Sequence, residues 1–218
     1  MTGSVGAPLV SRDTRRLEAF SDAVFAITIT LLVLEIKVPH ADGPEALWHA
    51  LAGLWPSYVA FLLSFFVILI MWINHHELMR MVRAASYPFL FANGFLLLTV
   101  TFAPFPTAVL AEHLAEGDAR TAATFYCGTF IVNSLAWGTV FWAIVRDDLF
   151  RDDVTPDAIA RVRRAYVVGP LVYTTATALA YVQPWLGLGI NASLWILWAR
   201  LCYQTVEAEE KERARIRA

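Results

Sequence analysis

Charged residues are scarce in this sequence: Asp, Glu, Lys and Arg make up 17% of its 218 residues, whereas 58% are hydrophobic. The few charges are also clustered, which leaves five charge-free runs at residues 23–34, 46–76, 84–111, 121–145 and 165–199. These runs cover more than half of the chain. Because about 20 apolar residues suffice to cross a bilayer, this distribution excludes a soluble globular protein and predicts an integral membrane protein.

Cysteine is also rare. Cys127 and Cys202 lie in different apolar runs, with no spacing that suggests pairing, so we expect small core residues at both positions. The net charge of −2 gives no indication of a nucleic-acid partner. We find no internal repeat, and no small-residue cleavage site that would mark the first apolar run as a secretory signal peptide. The sequence predicts a single membrane domain over residues 1–218.

Helix length converts the charge-free runs into membrane spans. A helix rises about 1.5 Å per residue and the apolar core of a bilayer is about 30 Å thick, so the run 165–199 must fold back. Gln183-Pro184, followed by two glycines, marks the turn. Pro104 and Pro106 are expected to kink or end the third span near its outer end. The prediction is an all-α protein with six transmembrane helices, at approximately 17–38, 56–73, 89–110, 122–145, 166–182 and 185–203.

The basic residues predict the orientation. With six spans and both termini in the cytoplasm, every Lys and Arg lies in a cytoplasmic segment except Lys37 and Arg120. Positive residues are retained on the cytoplasmic side of membrane proteins, and a wrong number of spans would scramble this pattern. We therefore expect a multi-pass protein with cytoplasmic N and C termini.

The first span begins with polar residues that a lipid-facing helix would avoid. Glu18, Ser21 and Asp22 lie at its cytoplasmic start, and Glu35 lies near its outer end. A serine or aspartate here can cap the helix by accepting hydrogen bonds from its first amides. Ionisable groups inside a membrane also commonly serve a function. The residue types alone leave both interpretations open.

Between these polar ends, Ile27, Thr30, Leu31 and Leu34 recur at intervals of three and four residues. On a helix they fall within an arc of about 100°. In a single chain such a stripe is an ordinary packing face. If several copies faced a common axis, the stripe would form a narrow apolar constriction with one layer of hydroxyl groups, and such constrictions gate pores by dewetting.

The stretch 16–35 resembles the first helix of the transmembrane protein 175 family, the endolysosomal potassium channels and their prokaryotic relatives. It contains the family signature RxxxFSD as Arg16, Phe20, Ser21 and Asp22. Two further stretches resemble the second and third helices of the family: Trp72-Ile-Asn-His75-His76, and Asn93 followed by Ala103-Pro-Phe-Pro-Thr107. The resemblance is specific in the first three helices and weak in the last three.

The resemblance implies a potassium-permeable cation channel whose first helix lines the pore. Ile27 would match the hydrophobic constriction of the family, and Leu31 and Leu34 its further apolar layers. Thr30 would match a hydroxyl proposed to contribute to cation selectivity. Animal members carry two six-helix repeats and dimerise, so a chain with one repeat implies a homotetramer.

The signature residues Arg16, Phe20, Ser21 and Asp22 would, by the same resemblance, belong to a polar network beneath the pore. Trp72 and His75 of the second helix would be their partners. We expect this arrangement in the plasma membrane of a bacterial cell.

The chain contains no filter sequence of the TVGYG type. Selectivity would then come from the apolar neck and the Thr30 ring, so we expect a leak-like channel with a modest preference for potassium over sodium. Four copies of Glu35 near the outer mouth would concentrate cations.

Other functions find less support in the residues. His75 and His76 invite a metal interpretation, but neighbouring residues on a helix point about 100° apart, so they cannot chelate one ion together. We predict no metal and no cofactor beyond the permeant potassium ion. A secondary ion or small-solute transporter is the main alternative, although it needs a midplane site and broken helices. No nucleophile and base stand at plausible spacing, so we do not expect an enzyme.

Overall fold

The computed structural model describes residues 9–11, 14–40, 43–194 and 198. These residues form a bundle of long helices. The helices are α1 (Arg15–Leu31), α2 (Pro44–Gly53), α3 (Trp55–Arg80), α4 (Tyr87–Thr101), α5 (Pro104–His113), α6 (Ala119–Arg146) and α7 (Pro156–Val182). A 3₁₀ turn (Leu32–Glu35) continues α1, and residues 184–194 are helical after a break at Gln183.

Among the described residues, five helical segments are long and apolar enough to cross a membrane: Arg15–Glu35, Trp55–Arg80, Tyr87–His113, Ala119–Arg146 and Pro156–Val182. They correspond to the first five predicted spans, and the protein is an integral membrane protein. Most of them extend past the apolar run, because helical hydrogen bonding continues into the polar interface; α7 begins well before residue 166. Of the sixth predicted span, 185–203, only residues 185–194 and Trp198 fall within the described residues.

Two elements depart from the predicted all-α, six-helix arrangement. The short helix α2 precedes α3 and was not predicted, because its ten residues are too short to form a membrane span of their own. Pro56 has no amide hydrogen, so it cannot donate a helical hydrogen bond to α2 and is suited to the first turn of a new helix, α3. In addition, strand β1 (Leu9–Ser11) pairs antiparallel with strand β2 (Ala85–Ser86), too short a ladder for an alternating pattern to reveal.

The third span is broken at its proline-rich segment. Helix α4 ends at Thr101 and α5 begins at Pro104, near the outer end of the span as expected. The Ala103 carbonyl accepts hydrogen bonds from the amide of Thr107 at 3.2 Å and from its hydroxyl at 2.8 Å. The Ser64 hydroxyl lies 2.6 Å from that of Thr107 and 3.0 Å from that of Tyr126. This buried series of hydroxyl groups ties α3, α5 and α6 together at the break.

The connections that carry basic residues meet at one end of the bundle. The Arg83 guanidinium, after α3, donates to an Asp148 carboxylate oxygen at 3.0 Å, after α6. Val82 and Phe150 form a β-bridge beside this pair. At the opposite end, the rings of Trp55 and Trp185 stack with centroids 6.0 Å apart. Strand β1, just before α1, pairs with β2 at the basic end, so helices α1, α4 and α7 run antiparallel to α3 and α6.

Candidate functional site

Helix α1 has one buried and one exposed face. Ser21, Phe25, Thr28 and Leu32 recur at helical spacing and are buried against the bundle. The opposite face carries the predicted stripe, and the other described helices leave it uncovered: Ile27 is 58% exposed and Leu34 is 65% exposed. Thr30 and Leu31 are exposed on the same face. A long apolar face of this kind needs either lipid or another protein surface to cover it.

The stripe does not continue as one regular α-helix. Helix α1 ends at Leu31, and Leu34 and Glu35 belong to the 3₁₀ turn. A 3₁₀ turn advances about 120° per residue, so the helical-wheel position calculated for Leu34 changes, yet Leu34 remains exposed. The single α-helix expected over 17–38 is thus shorter and ends in a tighter turn.

The Thr30 hydroxyl is oriented by the backbone. It donates its hydrogen to the Ile27 carbonyl at 2.8 Å. The hydroxyl hydrogen of Thr30 is thus occupied, and the lone pairs of its oxygen remain available as acceptors. A hydroxyl in this state can accept from water or coordinate a cation.

The second polar feature lies at the N-terminal half of α1. The indole Nε1 of Trp72 donates to an Asp22 carboxylate oxygen at 2.8 Å, which joins α3 to α1. Because α1 begins at Arg15, Asp22 and Ser21 lie well inside the helix and cannot cap it. The Ser21 hydroxyl instead donates to the Leu17 carbonyl at 2.9 Å.

His75 reaches Ser21 through an asparagine. The His75 Nε2 atom lies 2.9 Å from the Asn93 side-chain oxygen, and the Asn93 amide nitrogen donates to the Ser21 hydroxyl at 3.0 Å. Since the side-chain oxygen of Asn93 can only accept, Nε2 of His75 carries the hydrogen. The bonds therefore run in one direction, from His75 through Asn93 and Ser21 to the Leu17 carbonyl. This buried network connects α3, α4 and α1.

The sequence did not predict that Asn93 belongs to this network. It lies in the charge-free run 84–111 with His75 eighteen residues before it, and only the packing of α4 beside α3 brings the two together. A buried amide inside an apolar helix is the signal that points to it, because such a group needs hydrogen-bond partners.

The two neighbouring histidines face different surroundings. His75 is fully buried, 5.4 Å from the Phe25 ring and 6.3 Å from the Trp137 ring. His76 instead places Nδ1 3.0 Å from a Glu18 carboxylate oxygen and lies against Trp72. The two rings thus do not converge on one point. Within the described chain, no three histidine, cysteine or acidic side chains gather as a metal site.

The remaining predicted residues lie at the ends of α1. Arg16 is exposed, and the Phe20 side chain is 62% exposed on the same side as Ile27. Glu35 is half-buried, with the Lys37 ammonium 3.9 Å from its carboxylate. The positive charge of Lys37 partly offsets the Glu35 carboxylate at this end of the stripe.

Several known proteins are similar to this chain in sequence and fold. Residues 16–104 match the family described as endosomal/lysosomal potassium channel TMEM175. A potassium channel from Chamaesiphon minutus is 44% identical over 190 residues, which cover 86% of this chain and 94% of that protein. A potassium channel from Streptomyces collinus is 43% identical over 184 residues, covering 84% of this chain and 89% of that protein.

A solved structure matches as well. The crystal structure of a lysosomal potassium-selective channel TMEM175 homologue from Chamaesiphon minutus has a TM-score of 0.78 at 42% identity, over 87% of this chain and 97% of that chain. Fold and site define a multi-pass helical membrane protein whose first helix presents an uncovered apolar face. The chain belongs to the TMEM175 family, as the signature in α1 indicated.

Proposed function

We propose that this protein is a potassium-permeable cation channel and that the exposed stripe of α1 lines its pore. The observation that carries the proposal is the uncovered apolar face of α1, with Ile27 at 58% exposure on a helix whose other face is buried. The relatives named as potassium channels support the permeant ion. No enzymatic function is proposed, because these relatives are channels.

Four copies of the chain would complete the pore. In a homotetramer the four α1 helices would face a common axis, and the stripe would be buried against its symmetry mates instead of lipid. A ring of four Ile27 side chains would form the narrowest apolar layer, with Leu31 and Leu34 as further layers. Such a neck excludes hydrated ions when it dewets and passes them when it widens, without any charged gate.

Selectivity would arise in the same neck. Thr30 lies between the Ile27 and Leu31 layers, and its hydroxyl oxygen is free to accept because its hydrogen is donated to the Ile27 carbonyl. Four such oxygens could replace part of the hydration shell of a cation. One hydroxyl layer replaces far fewer waters than successive carbonyl rings, so the preference for potassium over sodium would be modest.

The buried network would hold α1 in position. Trp72 anchors Asp22, and His75 anchors Ser21 through Asn93, so α1 is fixed to α3 and α4 from the face opposite the stripe. Arg16 and Phe20 lie on the pore-facing side, where they would line the cytoplasmic entrance. Glu35 would lie at the outer mouth.

The proposed orientation places the basic end of the bundle in the cytoplasm, with both termini there. Arg83 and the loop that carries Asp148 lie at this end. Retention of positive residues on the cytoplasmic side supports this orientation. The two relatives that match most of this chain and are named above are bacterial proteins, so the membrane would be the plasma membrane of a bacterial cell.

The experiment measures potassium flux through purified protein in liposomes, together with the mass of the oligomer. We expect unitary current steps in a planar bilayer and a mass of four chains. Slow, saturable flux without unitary steps would instead identify a secondary transporter. A monomeric mass in several detergents and in nanodiscs would remove the pore, since a single stripe cannot enclose one.

A further inference from the structure

A cavity of about 110 Å³ lies between α3, α6 and α7, and its described lining includes no residue of α1. One end is lined by the polar side chains of Asn74, Glu77 and Arg161. The rest of the lining is mostly apolar and aromatic, with Val67, Met71 and Tyr173 among its walls, and also includes Asn133 and Ser134 of α6. The cavity is therefore separate from the proposed pore and has a polar end and a mostly apolar end.

The cavity follows the membrane normal. Its lining extends along α3 from Leu78 to Val67 and along α7 from Arg161 to Tyr173. At about 1.5 Å per residue, these stretches are about 15–18 Å long. This length is close to half of an apolar bilayer core of about 30 Å. The cavity thus extends from the basic end of the bundle to about the middle of the membrane.

Arg161 has an unsatisfied donor at the polar end. Its Nε atom is buried and has no hydrogen-bond partner within the described part of the chain. Arginines near the end of a membrane helix usually extend to water, as the exposed Arg163 and Arg164 on the same helix do. The nearby carboxylate of Glu77 is paired with Arg80 at 3.2 Å. An acceptor supplied from outside the protein would satisfy the Arg161 guanidinium.

We propose that this cavity binds an anionic phospholipid of the cytoplasmic leaflet. Its phosphate would accept hydrogen bonds from Arg161, because a guanidinium fits phosphate oxygens well. Part of one acyl chain would occupy the apolar end, beside Met71 and Tyr173. A cavity of about 110 Å³ has room for a segment of one acyl chain and not for a whole lipid.

The experiment measures lipid binding to the purified full chain by native mass spectrometry. Phosphatidylglycerol is titrated against phosphatidylcholine for wild type, Arg161→Gln and the control Arg164→Gln. We expect wild type to prefer phosphatidylglycerol, Arg161→Gln to bind it about tenfold more weakly, and Arg164→Gln to bind it as wild type does. Equal binding by wild type and Arg161→Gln would overturn the proposal.

A second variant tests the apolar end without changing charge. A Cβ at Gly169 would meet Ser134 and Trp198 at 3.7 Å, an ordinary contact, so Gly169→Ala adds a methyl group to the cavity wall without a clash. Gly138→Ala is the matched control, because a Cβ there has nothing within 4 Å and Gly138 does not line the cavity. We expect only Gly169→Ala to weaken phosphatidylglycerol binding, by several-fold. Unchanged binding by Gly169→Ala would overturn the acyl-chain assignment.

Glycerol 3-phosphate separates a lipid headgroup from a free anion. We expect it to compete poorly with phosphatidylglycerol, because it lacks the acyl chain. Equal competition at equal concentration would mean a site for small phosphate anions and would overturn the lipid assignment. These measurements need no ion flux, so their outcome does not depend on the channel function.

Discussion

The indole of Trp72 on α3 donates a hydrogen bond to the carboxylate of Asp22 on α1 at 2.8 Å. This bond lies on the face of α1 opposite Ile27, next to the series that joins His75, Asn93 and Ser21. Polar contacts thus hold the buried face of α1 against α3 and α4, whereas the opposite face of α1 presents apolar side chains. Polar contacts are directional, so they fix the rotation of α1 more tightly than apolar packing would.

Replacement of Trp72 by Phe is expected to destabilise the protein. Phenylalanine keeps a smaller aromatic ring and removes the donor to Asp22, and a hydrogen bond to a charged group contributes about 1.5–3 kcal/mol. Because Asp22 is half-buried, we expect the lower part of this range, about 1.5–2 kcal/mol. Denaturant unfolding in detergent measures the change. The control is Trp48→Phe on the exposed surface of α2, and an equal loss in both variants would contradict the assignment.

Asn93 and His75 are expected to behave as one unit in a double-mutant cycle. Either Asn93→Leu or His75→Leu breaks their shared hydrogen bond, so the double variant should lose about 1 kcal/mol less stability than the sum of the single losses. The free energy of unfolding of the four proteins gives the coupling directly.

The control for this cycle pairs His75→Leu with Asn133→Leu. Asn133 donates to the Thr99 hydroxyl at 2.7 Å and, among the described residues, makes no hydrogen bond to His75, Asn93 or Ser21. We expect additive losses within about 0.5 kcal/mol. Additivity in the first cycle, or strong coupling in the second, would count against the network described for α1, α3 and α4.

Replacement of Ile27 by Ser is expected to raise potassium flux several-fold and to lower the preference for potassium over sodium. A serine ring would keep the neck hydrated and remove the dewetting barrier. Liposome flux and reversal potentials measure both effects. Leu98→Ser, at an exposed position on α4, is the control and should leave flux unchanged. Wild-type currents from Ile27→Ser would rule out this residue as the constriction.

Asp148 is expected to tolerate Gly better than Ala. Its backbone has φ of 51°, in the left-handed region where a Cβ is costly, and it is the only described non-glycine residue with positive φ. Both substitutions remove the carboxylate that pairs with Arg83, so their difference isolates the backbone term. We expect Asp148→Gly to unfold at a higher denaturant concentration than Asp148→Ala. Its free energy of unfolding should be about 1 kcal/mol larger. The reverse order would contradict this conformation in the native protein.

Much of the architecture follows from the composition of the chain. Clustered charges define the apolar runs, and the length of each run decides whether it crosses once or folds back, as it does at Gln183. The two prolines near Phe105 marked the break between α4 and α5, because proline removes a helix hydrogen bond wherever it stands. These are local properties, so the sequence displays them directly.

Other features were visible only in part. The spacing of Ile27, Leu31 and Leu34 defined a stripe, but spacing does not distinguish a packed face from an exposed one. Helix α2 was not predicted, because a ten-residue helix is too short to be recognised as a membrane span. The role of Asn93 was missed because its partners lie on two other helices.

The sequence by itself determined that this is a membrane protein, where its five long apolar helices lie, and that its first helix carries the TMEM175 signature. These conclusions depend on the solvent preference of each segment and on a local string of residues. Only the tertiary structure decided which face of α1 remains uncovered and which bonds hold its other face. Those outcomes depend on how α3 and α4 rotate and pack against α1, and side-chain contacts between distant segments set that rotation.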